Sequence, residues 1–145
     1  MLKKILPLIV LAMLLLTGCG DQPASPPLIY LTADGALVDG FQGSYCWDRG
    51  RKDIMCKDTM APYFEGTTYL SANDPLRLQL DTPLPNEVTL VISREVFGEP
   101  TDSTIMPPAE IIEWSPMVAP GEYILAVHAE WKQGVVSYWF SISLD

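Results

Sequence analysis

"GEYILAVHAEWKQGVVSYWFSISL", residues Gly121 to Leu144, is the stretch whose reading decides the fold. Tyr123, Leu125, Val127, Ala129 and Trp131 fall on one side of an extended backbone, with Glu122, His128, Glu130 and Lys132 on the other. Val136, Tyr138, Phe140, Ile142 and Leu144 then alternate with Ser137, Ser141 and Ser143. Side chains of a strand point to opposite faces in turn, so strict alternation marks strands with one face in a core and one in water. Lys132-Gln133-Gly134 is a turn signal between them and predicts a hairpin. The same period recurs at Leu76, Leu78, Leu80 and at Val88, Leu90, Ile92, with shorter candidates at Leu28–Thr32, Gly43–Trp47, Thr67–Leu70 and Glu110–Trp114. The 13 prolines break up the remaining segments, and no stretch carries a helical stripe. The expected class is all-β, an antiparallel sandwich.

The opposite end of the chain speaks about compartment. Met1-Leu2-Lys3-Lys4 is basic and Ile5 to Leu16 is apolar, too short for the roughly 20 residues that span a bilayer as a helix. Leu16-Thr17-Gly18-Cys19 follows, and it resembles the lipobox of bacterial lipoproteins. That resemblance implies a signal peptide over residues 1–18, cleaved before Cys19, with acyl chains on Cys19 that hold the protein at a membrane. The implied location is the cell membrane, on the periplasmic or extracellular side. Residues 19–27, with Pro23, Pro26 and Pro27, read as the lipidated cysteine and an extended tether. Residues 28–145 are then one β-sandwich domain with a single core.

With Cys19 assigned to lipid, Cys46 and Cys56 remain as a pair in an oxidising compartment. Two cysteines are too few for a zinc site, and a spacing of ten is too wide for a thioredoxin-like centre. A structural disulfide is the expectation, stabilising by roughly 2–3 kcal/mol in the chain-entropy view. No metal and no cofactor are implied.

Ala119-Pro120-Gly121-Glu122-Tyr123 leads into a long strand, the setting in which a tyrosine bonds the upstream backbone in immunoglobulin-like sandwiches. Together with "GSYCW" at Gly43–Trp47, the closing stretch resembles small uncharacterised bacterial lipoproteins with an immunoglobulin-like domain. The second half is also similar to the closing strands of small secreted proteinase inhibitors of bacilli. These resemblances imply an exported binding or structural module of the cell envelope, or alternatively an inhibitor of an exported protease.

Charge narrows the partners. Of 9 basic and 18 acidic residues, Lys3 and Lys4 leave with the signal, so the mature chain carries 7 against 18, net −11. Nucleic acid and anionic headgroups would be repelled by such a surface taken as a whole. Four of the seven cations nevertheless crowd one turn: Arg49, Arg51, Lys52 and Lys57. Held by the disulfide, Arg49, Arg51 and Lys52 form a candidate ligand-binding turn for an envelope polymer or an exported protein, although Asp48, Asp53 and Asp58 are interleaved. Trp47 is expected in the core, on the face opposite Cys46. Trp139 lies on the serine face, as a stacking platform or packed beneath a loop. His128, the single histidine, lacks a nucleophile elbow, and the pair Glu110 and Glu113 is what an acidic chain presents by chance, so no enzyme is expected. For the inhibitor alternative, the stapled turn or the proline-rich loop Gly98–Pro108 would enter the protease.

Overall fold

The computed structural model describes residues 23–145. The lipobox, Cys19 and the signal segment 1–18 lie outside the described residues. The described chain is all-β, with twelve strands: β1 (Ile29–Ala33), β2 (Ala36–Asp39), β3 (Phe41–Gln42), β4 (Tyr45–Asp48), β5 (Ile54–Lys57), β6 (Thr68–Leu70), β7 (Leu76–Leu80), β8 (Glu87–Ser93), β9 (Pro100–Met106), β10 (Ile111–Trp114), β11 (Gly121–Trp131) and β12 (Gly134–Leu144). One sheet runs β10-β7-β1-β2 and a second runs β3-β12-β11-β8-β9, with β6 also on β12; β4 and β5 form a separate hairpin. All pairings are antiparallel except β6 with β12.

Alternation becomes packing in the expected sense. Leu76, Leu78 and Leu80 of β7 and Ile29 and Leu31 of β1 are buried against Val88, Leu90 and Ile92 of β8 and the inward residues of β11 and β12. The two sheets thus share one apolar cluster, as in a β-sandwich. Each fully buried leucine or isoleucine contributes about 1.5–3 kcal/mol of burial free energy. The β11–β12 hairpin turns at Lys132-Gln133, pairs Trp131 with Gly134, and keeps register to Gly121 opposite Leu144. At its start the Tyr123 hydroxyl donates to the Ala119 carbonyl at 2.6 Å, while the Arg94 guanidinium lies 4.0 Å over the ring.

Cys46 and Cys56 are bonded, facing each other across β4 and β5 with Cα atoms 4.0 Å apart. Both cysteines face solvent, and Trp47, in the next register pair opposite Met55, is buried. The Trp47 ring meets Trp131 edge-on at 5.5 Å. This hairpin also docks on the tip of β11–β12, where Asp48 N–H donates to the Gln133 carbonyl. Gly134 permits the approach, since a Cβ there would lie 2.3 Å from the Cys46 carbonyl oxygen.

Two expectations change. Residues Pro23–Pro27, read as tether, lie on the domain: Pro26 and Pro27 are buried. The Pro23 carbonyl accepts the Trp47 indole N–H at 2.9 Å, and the Pro27 carbonyl accepts the Tyr138 hydroxyl. Proline carries a carbonyl like any residue, so a proline-rich segment can satisfy buried donors. The domain therefore begins earlier than Leu28. The loop expected at Gly98–Pro108 is largely strand β9, paired with β8 from Val88–Met106 to Ser93–Pro100. Pro100 sits at its first position, where no ladder N–H is needed, and Thr101, Thr104 and Ile105 favour extended backbone.

Candidate functional site: an aromatic groove over Trp139

Trp139 projects from the outer face of the six-stranded sheet, opposite the buried Tyr138 and Phe140, and is 8 % exposed. What covers it is remote in sequence. Phe97, from the β8–β9 turn, stands edge-on at 5.2 Å, and His128 lies edge-on at 5.8 Å from the neighbouring strand. Phe97 itself is 75 % exposed and has φ of 61°, a left-handed conformation that a bulky side chain rarely adopts. Such strain costs about 1–3 kcal/mol and persists where surrounding structure imposes it, here in a turn that aims the ring at Trp139.

Two hollows open on either side of Trp139 and share it and Phe41 as floor. The larger, about 570 Å³, runs past Tyr63, Phe64 and Phe140. The smaller, about 340 Å³, runs between Met60 and Phe97. The larger sits where β12 changes partners, from β3 at Tyr138–Trp139 to β6 at Ile142–Leu144. The segment 63–67, just before β6, lines this hollow and is tied by Thr67 Oγ1 to Ser141 Oγ at 3.1 Å. Tyr63, at 77 % exposed, and Met60 present apolar surface to solvent at the rims. The polar lining is Asp39 and Glu65 with several hydroxyls, and neither hollow contains a lysine or arginine. Aromatic faces beside carboxylates and hydroxyls suit a ligand with alternating apolar faces and hydroxyl edges, and disfavour an anion.

The stapled turn is a different kind of site. Arg49 N–H donates to the Asp53 carbonyl, and the Arg49 guanidinium pairs with the Asp53 carboxylate at 2.9 Å. Asp48 accepts from the Gly50 N–H at 2.8 Å. Gly50, Arg51 and Lys52 all have positive φ, at 84°, 53° and 65°. One of the three expected cations and two of the acids are thus engaged within the turn, while Arg51 and Lys52 remain exposed at its tip. The turn and Trp139 are not brought together: Trp139 lines the groove, and Arg49, Arg51 and Lys52 do not.

His128 Nδ1 and Ser137 Oγ are 2.6 Å apart, directly opposite each other on β11 and β12. Burial holds the imidazole below its ordinary pKa. The serine partner was available from the hairpin register alone, since a two-residue turn at Lys132-Gln133 sets His128 against Ser137. Ser137 is the histidine's one hydrogen-bond partner among the described residues, and no carboxylate orients the ring. Glu113 pairs with Arg77 at 3.1 Å across β10 and β7, while Glu110 contributes its backbone carbonyl to Leu80. Among the described residues no three His, Cys, Asp or Glu side chains cluster as metal ligands, and no helix is long and apolar enough to cross a membrane.

Comparison with known proteins finds no matching family model, no matching curated protein and no matching solved structure.

Proposed function

We propose that this protein is an exported, lipid-anchored binding module of the cell envelope, whose ligand site is the groove over Trp139. The groove is the observation that carries the reading: two adjoining hollows share an aromatic floor, and a strained turn holds a further ring above it. Leu16-Thr17-Gly18-Cys19 supports the anchor on Cys19. An immunoglobulin-like relationship is supported by the strand order β10-β7-β1 facing β9-β8-β11-β12, and by the bond from Tyr123 to Ala119. The ligand class that fits is an uncharged sugar chain, stacked on Phe41, Tyr63 and Phe97 and bonded along its edges to Asp39, Glu65 and neighbouring hydroxyls. Membrane-bound enzymatic activity is not part of this reading. Inhibition of an exported protease has less support, because one of the two loops that would enter a cleft is strand β9.

The test is co-sedimentation of residues 20–145 with neutral and with anionic envelope polymers, alongside Tyr63→Ser and Phe97→Ser. Both substituted side chains are largely exposed, so the fold tolerates their loss. Retention on the neutral polymer, weakened at least tenfold by either change and insensitive to salt, is expected. Binding to neither polymer, or binding untouched by both substitutions, refutes the groove as the site.

A further inference from the structure

Resting on the groove proposed above, we propose that its smaller hollow is a subsite for an acetamido group, so that the chain bound there is built from N-acetylated sugars. Trp47 and Trp131 each send the indole N–H to a backbone carbonyl, at 2.9 Å and 2.8 Å. The Trp139 indole N–H meets no acceptor among the described residues, although its side chain is 8 % exposed. No buried side-chain nitrogen or oxygen among those residues lacks a partner, so this N–H keeps an opening to solvent. An indole N–H only donates, and the acceptor it lacks must come from whatever enters the hollow. The opening is on the side of the smaller hollow. Strand β3 ends at Gln42, and Gly43 follows with its N–H on the Ser137 carbonyl at 2.8 Å. A Cβ on Gly43 would stand 3.3 Å from Trp139 Nε1, and Gly43 lines the smaller hollow but not the larger. Glycine at this position thus leaves the indole edge uncovered. Phe97 and His128 stand edge-on to the ring, which holds the direction of the N–H before any ligand arrives.

Among the described residues, the other polar side chains of this hollow are already engaged. The Ser44 and Thr59 hydroxyls lie 3.2 Å apart as partners, and Ser137 Oγ is taken by His128 Nδ1. No charged side chain lines the hollow, and its remaining walls are Phe41, Met60, Ala61, Pro62 and Phe97. One free donor among apolar walls suits a carbonyl oxygen that carries a methyl group. A sugar hydroxyl fits less well, because its own hydrogen would be buried against carbon. The larger hollow has the opposite character, since Asp39 and Glu65 accept hydrogen bonds from hydroxyls. An N-acetylated sugar chain supplies both, hydroxyl donors to the one and acetyl groups to the other.

The full chain, isotope-labelled and held in a zwitterionic detergent, is titrated with β-1,4-linked tetramers of N-acetylglucosamine and of glucose, which share a backbone and differ at the acetamido group. Calorimetry gives the affinities, and the Trp139 indole proton, assigned with Trp139→Phe, reports the site by magnetic resonance. Expected is at least fivefold tighter binding of the acetylated tetramer, with a downfield shift of that proton that the glucose tetramer does not produce. Gly43→Ala sets a methyl beside the N–H and should bring the two affinities together. Should that variant not fold, the shift in the unsubstituted protein decides. A preference below fivefold, or a Trp139 proton that stays in place, overturns the subsite; the groove stands so long as the amides of Tyr63 and Phe97 still shift. Binding of neither tetramer overturns the proposal, and the groove reading with it when neutral envelope polymer also fails to bind. An N-acetylated tetra-alanine amide that moves the Trp139 proton as far as the sugar does assigns the hollow to peptide and overturns the proposal.

Discussion

Replacing Trp47 by phenylalanine tests how firmly the amino-terminal segment is part of the domain. The change removes the indole N–H that the Pro23 carbonyl accepts at 2.9 Å and the ring edge that meets Trp131 at 5.5 Å. Losing one hydrogen bond to a partly buried carbonyl costs about 1 kcal/mol. The vacated pyrrole edge, in a site with no exposure, adds about 1 kcal/mol of lost transfer energy and cavity. The sum is about 2 kcal/mol, or a fall in Tm of about 8 °C for a domain of this size. Urea unfolding followed by circular dichroism gives the stability, and hydrogen exchange gives the local effect. Alanine at the same position should cost about 4 kcal/mol, since the whole ring is then missing. In the phenylalanine variant the Asp48 N–H, bonded to the Gln133 carbonyl beside the altered ring, should exchange more than tenfold faster, while β8 keeps its protection. A loss below about 0.5 kcal/mol with unchanged exchange refutes the reasoning, because the bond to Pro23 would then contribute nothing measurable.

Tyr123→Phe keeps the ring beneath Arg94 but deletes the hydroxyl bonded to Ala119, and should destabilise by about 1–2 kcal/mol in the same unfolding assay. Gly134→Ala places a Cβ 2.3 Å from the Cys46 carbonyl, a backbone atom that cannot step aside, so a loss of about 2–3 kcal/mol and altered amide signals across both hairpin tips are expected. His128 has its pKa lowered by burial, so the folded state prefers the neutral ring and the unfolded chain binds the proton more tightly. Stability is therefore complete above the unfolded value of 6.5, declines as pH falls below it, and levels off under the folded pKa. With one histidine in the chain, His128→Gln should abolish that slope in Tm measured between pH 7 and 5.5.

Much of the sandwich was legible because its long strands are buried on one face only. Leu76–Leu80, Val88–Ile92 and the closing hairpin print that asymmetry directly as alternation, and Lys132-Gln133 marks the reversal. Strand β9 escaped notice because it is an edge strand with mostly exposed Thr, Ser and Asp residues, so no apolar period exists to read. Strand β2 is four residues with little burial, so it too leaves no apolar period to read. The segment Pro23–Pro27 hides for another reason: composition says linker, whereas its place on the domain depends on the Pro27 carbonyl meeting Tyr138 and the Pro23 carbonyl meeting Trp47, and those meetings are tertiary. The groove divides in the same way. Trp139 was placed on the outer face by period alone, but Phe97 and Tyr63 reach it through loops that pattern does not connect. The cysteine pair followed from the cysteine count and from the export expected of the first residues.

The most direct test of the groove is a nuclear magnetic resonance titration of the labelled domain with short neutral envelope glycans. The account predicts that the Trp139 indole N–H and the amides of Phe41, Tyr63 and Phe97 shift together and saturably, while Arg51 and Lys52 stay still. Shifts confined to Arg51 and Lys52, or none at all, would contradict it.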